Sequence, residues 1–129
     1  MPRLSRYDAL MSTARKDSDF LNGVPELLIL RLLARRPMYG YELGRGIRLS
    51  TGGAIEFGEG CIYPILHRLE AEAMILGTRE KVAGRSRVVY RITPAGRGRL
   101  AGAASRWEAI ASAIARILEG DGDAAPALG

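Results

Sequence analysis

The stretch GCIYPILHRLEAEAMILGTREKVAGRSRVVYRITPAG, residues 60–96, decides the fold. Its first part carries Ile62, Ile65, Leu66 and Leu69 at helical spacing, while Tyr63, His67 and Arg68 point elsewhere. Proline fits a helix in its first turn, so Pro64 predicts a helix from about Cys61 to Ala73 with Tyr63 at its leading end. The period then changes. Met74 to Val82 and Arg87 to Thr93 read as extended segments; in the second, Val88, Tyr90 and Ile92 alternate with Val89 and Arg91. Ala83-Gly84-Arg85-Ser86 supplies the turn of a hairpin. Arg79, Lys81, Arg85 and Arg87 put four cations in nine residues of it, opposed by Glu80.

Toward the N-terminus, Tyr39 to Leu49 reads as a helix softened by Gly40, Gly44 and Gly46, each costing about 1 kcal/mol against alanine at an interior position. Tyr41, Leu43 and Ile47 are expected in the core and Tyr39 near bound polyanion, although the two tyrosines could exchange roles. Between this helix and the next, Ser50 to Gly58 is a Gly-rich connection in which Ala54-Ile55-Glu56-Phe57 could add a short strand. A buried helix is expected from about Val24 to Arg35, with Pro25 in its first turn and Pro37 stopping it. Leu4 to Lys16 carries a weak helical pattern.

Toward the C-terminus, Thr93-Pro94 opens a long helix, Thr93 as N-cap and Pro94 at the first helical position. Leu100, Ala103, Trp107, Ile110, Ile114 and Ile117 recur at alternating spacings of three and four, a heptad seam widened by Ala104, Ala111 and Leu118. Gly120 ends it. The expected organisation is an N-terminal extension over 1–18, a compact domain over 19–93, an association helix over 94–119 and a tail over 120–129.

Composition bounds the function. The chain has 129 residues, 47% hydrophobic and 26% charged, and its one cysteine, Cys61, precludes an internal disulfide and fits a reducing cytosol. No apolar run reaches the length of a membrane span or a signal peptide, so a cytoplasmic protein with no membrane partner is expected. Lys+Arg 19 against Asp+Glu 14 gives +5, which favours polyanionic partners. No carboxylate pair or nucleophile–base set is present. Gly44-Arg45-Gly46 and Gly96-Arg97-Gly98 lack the strand–turn–helix context of a phosphate loop. Neither an enzyme nor a cofactor is expected, and one histidine makes no metal site.

The order helix, helix, helix, hairpin, long helix is that of a winged helix-turn-helix, mainly α with a small β wing, followed by a dimerisation helix. Groove dimensions then assign roles. The third helix fits the major groove and would present Cys61, Tyr63, Pro64, His67 and Arg68 from its N-terminal half. The hairpin would set Lys81, Arg85 and Arg87 on the phosphate backbone or in the minor groove, with Tyr39 nearby. Two copies joined through Leu100, Ala103, Trp107, Ile110, Ile114, Ile117 and Leu118 would read an inverted repeat on double-stranded DNA. A winged helix serving protein interaction without DNA is the alternative.

Pro37-Met38-Tyr39-Gly40-Tyr41-Glu42-Leu43, the run Gly60 to Glu70, and Tyr90-Arg91-Ile92-Thr93-Pro94-Ala95-Gly96 closely resemble the PadR-like regulators, over roughly Asp19 to Leu118. The resemblance implies a bacterial or archaeal repressor, dimeric through its C-terminal helix. In some relatives a small aromatic or drug-like ligand bound between the subunits releases DNA. By that resemblance Trp107 would face its symmetry mate and sandwich a flat guest, with Ala103, Ala104 and Ala111 small enough to admit it. Three departures stand out: Cys61 in place of a small hydroxyl residue, Gly44 and Gly46 in the second helix, and an N-terminal segment long enough to clasp a partner subunit.

Overall fold

The computed structural model describes residues 23–120; the extension over 1–18, its helical pattern and the tail beyond Gly120 lie outside the described residues. The elements run α1 (23–35), β1 (Met38–Tyr39), α2 (Gly40–Ser50), α3 (Glu59–Ala71), β2 (Ile75–Val82), β3 (Arg85–Ile92) and α4 (Pro94–Leu118). The three strands form one antiparallel sheet in the order β1-β3-β2.

The core lies between α1, α2, α3 and one face of the sheet. Ile29, Leu30 and Leu33 of α1, Leu43 and Ile47 of α2, and Ile62, Leu66 and Leu69 of α3 meet Met38, Ile75 and Tyr90 there. These are the helical and alternating positions the sequence offers, and each buried aliphatic side chain contributes about 1.5–3 kcal/mol.

Several expectations need correction. Tyr41 is 55% exposed and not part of the core; α2 begins at Gly40 with Tyr39 as its N-cap, which turns residue 41 outward. The third helix starts two residues earlier than expected, at Glu59, and Pro64 lies inside it rather than in its first turn. Its end is also earlier. Ala73 takes φ 63, and the Met74 and Ala73 amides donate to the carbonyls of Leu69 at 2.9 Å and Glu70 at 3.0 Å, a Schellman closure. Residues 54–57 form no strand; the third strand is Met38–Tyr39, paired with Tyr90 and Val89. That pairing accounts for a further difference: Val89 is buried although it faces away from the core.

The hairpin turn is tighter than the expected four residues. Val82 pairs directly with Arg85, leaving Ala83 and Gly84 as a two-residue loop with φ 52 and 81, the twist of a type I′ turn. β2 is an edge strand, and the Glu70 carboxylate of α3 accepts its Gly77 amide at 3.1 Å.

Where α4 begins, Thr93 acts as the expected cap, its hydroxyl accepting from the Gly96 amide at 3.0 Å and donating to the Ala73 carbonyl at 2.7 Å. Gly96 lies against the Met74 carbonyl, where a methyl group would collide with the oxygen and stand 2.8 Å from Ile92 Cγ1. Backbone cannot yield there. Gly96→Ala is expected to cost about 3 kcal/mol. Gly44 is the contrasting case: an added Cβ meets only the Phe57 carbonyl, at 3.7 Å, so Gly44→Ala should stabilise by about 1 kcal/mol. Thermal unfolding of the two variants checks the opposite signs.

Candidate nucleic-acid interface

Sheet pleating decides how the hairpin presents its charge. Residues directly opposite in register share a face, so Arg85 and Arg87 lie with Glu80 and Thr78, whereas Arg79 and Lys81 lie with Ser86 on the other. Both faces of the wing are therefore cationic. Lys81 and Arg85 are exposed and make no ion pair among the described residues. Arg79 donates to the Ser86 hydroxyl at 3.2 Å. The opposing acid, Glu80, is engaged within the sheet by Arg91 at 2.6 Å and by the Thr78 hydroxyl at 2.7 Å. Its charge is neutralised away from the tip.

Arg87 sits over the Tyr39 ring, 4.5 Å from its centroid. This cation–π contact ties the base of the wing to the cap of α2. Tyr39 is thus half-buried beside the wing, where Glu42 accepts its amide at 3.2 Å and is itself held by Arg36.

On α3, Pro64 and His67 are exposed, while Cys61 and Tyr63 are half-buried. Tyr63 lies over Gly40, so close that a Cβ on residue 40 would come within 2.7 Å of its ring and hydroxyl. It also tilts toward His67, with ring centroids 6.4 Å apart. Tyr63 therefore joins α3 to α2, packing that helical periodicity alone does not reveal. Arg68 is engaged by Glu26 at 2.9 Å and by Glu72 at 3.4 Å.

Tyr41, whose exchange of roles with Tyr39 the sequence left open, and Arg45, which sequence reasoning missed, are exposed on successive turns of α2. With Phe57 and Tyr63 they line a cleft of about 160 Å³ beside the start of α3. Their four-residue spacing, opposite Leu43 and Ile47, is the signal that finds them.

Two carboxylates are held below the usual range. For Glu72 the main cause is its hydrogen bond from Arg99, and for Glu80 the bond from Arg91 followed by that from Thr78. Arg91 is raised by the same bond to Glu80, and burial raises the Tyr90 phenol. A carboxylate whose folded value is depressed stabilises fully above its unfolded value, and that contribution is lost as pH falls through the folded one. Stability should therefore decline as pH drops below about 4.5, the ordinary value for these groups. Glu80→Gln should flatten part of that decline in melting temperature measured against pH.

Along α4, Gly96 and Leu100 alone are buried. Leu100, expected on the seam between subunits, is 8% exposed and belongs to the core of its own protomer. From there onward the seam faces solvent: Trp107, Ile110 and Ile114 are exposed, and Ile117 and Leu118 are each 78% exposed. Ala103, Ala104 and Ala111 lie between them, half-buried. Among the described residues no helix is long and apolar enough to cross a membrane.

Residues 29–102 match the model of the transcriptional regulator PadR-like family. The transcriptional regulator Rv3488 of Mycobacterium tuberculosis is 39% identical over 87 residues, covering 64% of this chain and 74% of that protein. An uncharacterized protein of Lysinibacillus sphaericus is 31% identical over 104 residues, 80% of this chain and 95% of its own. The PadR-like transcriptional regulator of Bacillus cereus superposes with a TM-score of 0.68 at 31% identity, covering 79% of this chain and 98% of that one. For a transcriptional regulator of Clostridium thermocellum the TM-score is 0.69 at 30% identity, with 77% and 94% covered. The matched segment runs from α1 through the wing to the base of α4, and with this agreement in sequence and fold the chain belongs to the PadR-like family of DNA-binding transcriptional regulators, which are not enzymes.

Proposed function

We propose that the protein is a homodimeric repressor that reads an inverted repeat in double-stranded DNA. The observation carrying this reading is the wing, cationic on both faces, beside a helix whose Pro64 and His67 are exposed. The apolar stripe along α4 supports the dimer, since a solvent-facing row of Ile110, Ile114, Ile117 and Leu118 asks for a partner surface. Cys61, Pro64 and His67 meet base edges, Tyr63 sets the helix on α2, and Lys81, Arg85 and Arg87 hold phosphates, with Tyr39 steadying Arg87. The domain over 19–93 reads DNA and the helix over 94–119 pairs the subunits. A flat aromatic effector between subunits, against Trp107, Ala103, Ala104 and Ala111, releases the operator.

The test is enrichment of duplexes from a random library, followed by a salt titration and in vitro transcription from a promoter carrying the selected site. Affinity should fall with a log–log slope of about 0.9 per phosphate neutralised, and transcription should fall on binding. A protein that retains no duplex at low salt acts instead as a protein-interaction module. Trp107 fluorescence should quench with planar aromatic compounds that also weaken operator binding; quenching without any shift in affinity would remove the effector role.

A further inference from the structure

Four side chains from three helices close a ring of alternating charge. Glu26 comes from α1, Arg68 and Glu72 from α3, and Arg99 from α4. Arg68 bridges Glu26 at 2.9 Å and Glu72 at 3.4 Å; Arg99 bridges Glu72 at 2.5 Å and Glu26 at 3.8 Å. Both guanidinium groups address the same oxygen of Glu26, which at 16% exposure is the most enclosed of the four. An isolated surface pair contributes little, but a closed ring with one enclosed acid resists removal of any member, because the remaining charge loses its partner.

The position of the ring gives it leverage. Only Gly96 and Leu100 of α4 are buried, so the direction of this helix is held near its base. The Thr93 cap fixes where α4 starts, and the ring grips it at Arg99, about one and a half turns further along. A helix of 25 residues is about 37 Å long. A swing of about 10° at its base carries the far end by about 6 Å, the rise of about two base pairs. The opposite side of the ring is α3 itself, just past His67.

We propose that Glu26, Arg68, Glu72 and Arg99 are positioning residues that fix the angle between the reading helix and α4, and thereby set the spacer between operator half-sites. This rests on the dimeric DNA-binding reading above. Arg68 acts through the ring and not on the DNA.

The experiment is enrichment by the full chain from a library of inverted repeats with randomised spacer length, comparing wild type with R99Q, E72Q, R68Q and the charge-retaining R99K. Wild type should concentrate on one spacer. R99Q and E72Q should select the same half-site sequence but accept spacers a base pair longer or shorter, the preference for the best spacer falling about five-fold. R99K should keep most of it. R68Q should loosen the spacer in the same way while leaving the salt slope unchanged, since no phosphate contact is lost. Circular dichroism verifies that each variant is folded, and the exposed Glu72 carries the comparison should R99Q unfold. Variants that retain the wild-type spacer preference overturn the ring, as does R68Q if it lowers the salt slope by about one unit per site. A wild type that enriches no inverted repeat overturns instead the dimeric reading beneath it.

Discussion

Replacing Arg85 and Arg87 together by alanine lowers affinity for every duplex, cognate or not, by about 10²–10³-fold near 0.15 M salt. Two cations per subunit are four per dimer, and the salt slope should become shallower by about three to four units if each holds one phosphate. Arg85 is exposed at the start of β3, and Arg87 is held mainly by the Tyr39 ring. The fold therefore loses only that cation–π contact, about 0.5–1 kcal/mol. Sequence preference should survive at low salt, because these side chains position the protein on the backbone without reading bases. Arg116, exposed near the far end of α4, is the control, and Arg116→Ala should leave the slope unchanged. If the double variant kept the wild-type slope, the wing would not lie on phosphates.

The seam gives the second large effect. Ile110→Glu with Ile114→Glu places two carboxylates per chain where two copies of α4 would bury apolar surface. Burying such charges unpaired costs several kcal/mol, so the dimer should weaken by more than about 10³-fold. The protomer should not notice, since both side chains face solvent within it. Sedimentation equilibrium should report a monomer with native circular dichroism, and operator affinity should fall to that of a single half-site. A variant still dimeric at micromolar concentration would place the subunit contact elsewhere.

Much of this architecture is legible in residue order. The change of period at Met74, the Thr93-Pro94 cap and the heptad of α4 are local signals, and the hairpin and the long helix follow them, with the strands shifted by one or two residues at their ends. What escapes local reading is what depends on another element. Tyr41 looks like a core aromatic until the cap at Tyr39 fixes the phase of α2 and turns it outward. Pro64 could be accommodated well inside α3, a course that its usual first-turn preference does not anticipate. β1 is two residues long and exists only because β3 is there to pair with it. Leu100 has the spacing of a seam residue, yet its burial within the protomer depends on where α4 departs from the domain. The wing cations could be read because a hairpin carries its own charge pattern; the ring that engages Arg68 could not, since its members come from residues 26, 68, 72 and 99.

The Glu70 carboxylate that occupies the Gly77 amide has a bearing on behaviour at high local concentration. A strand at the border of a sheet is an open template, and copies crowded along nucleic acid would have every chance to zip together through it. Here one backbone donor is already taken, and the charged Arg79 and Lys81 flank the same rim. Glu70→Ala, which takes that acceptor away, should accordingly leave the protein folded but more prone to ordered, fibre-like self-assembly on storage.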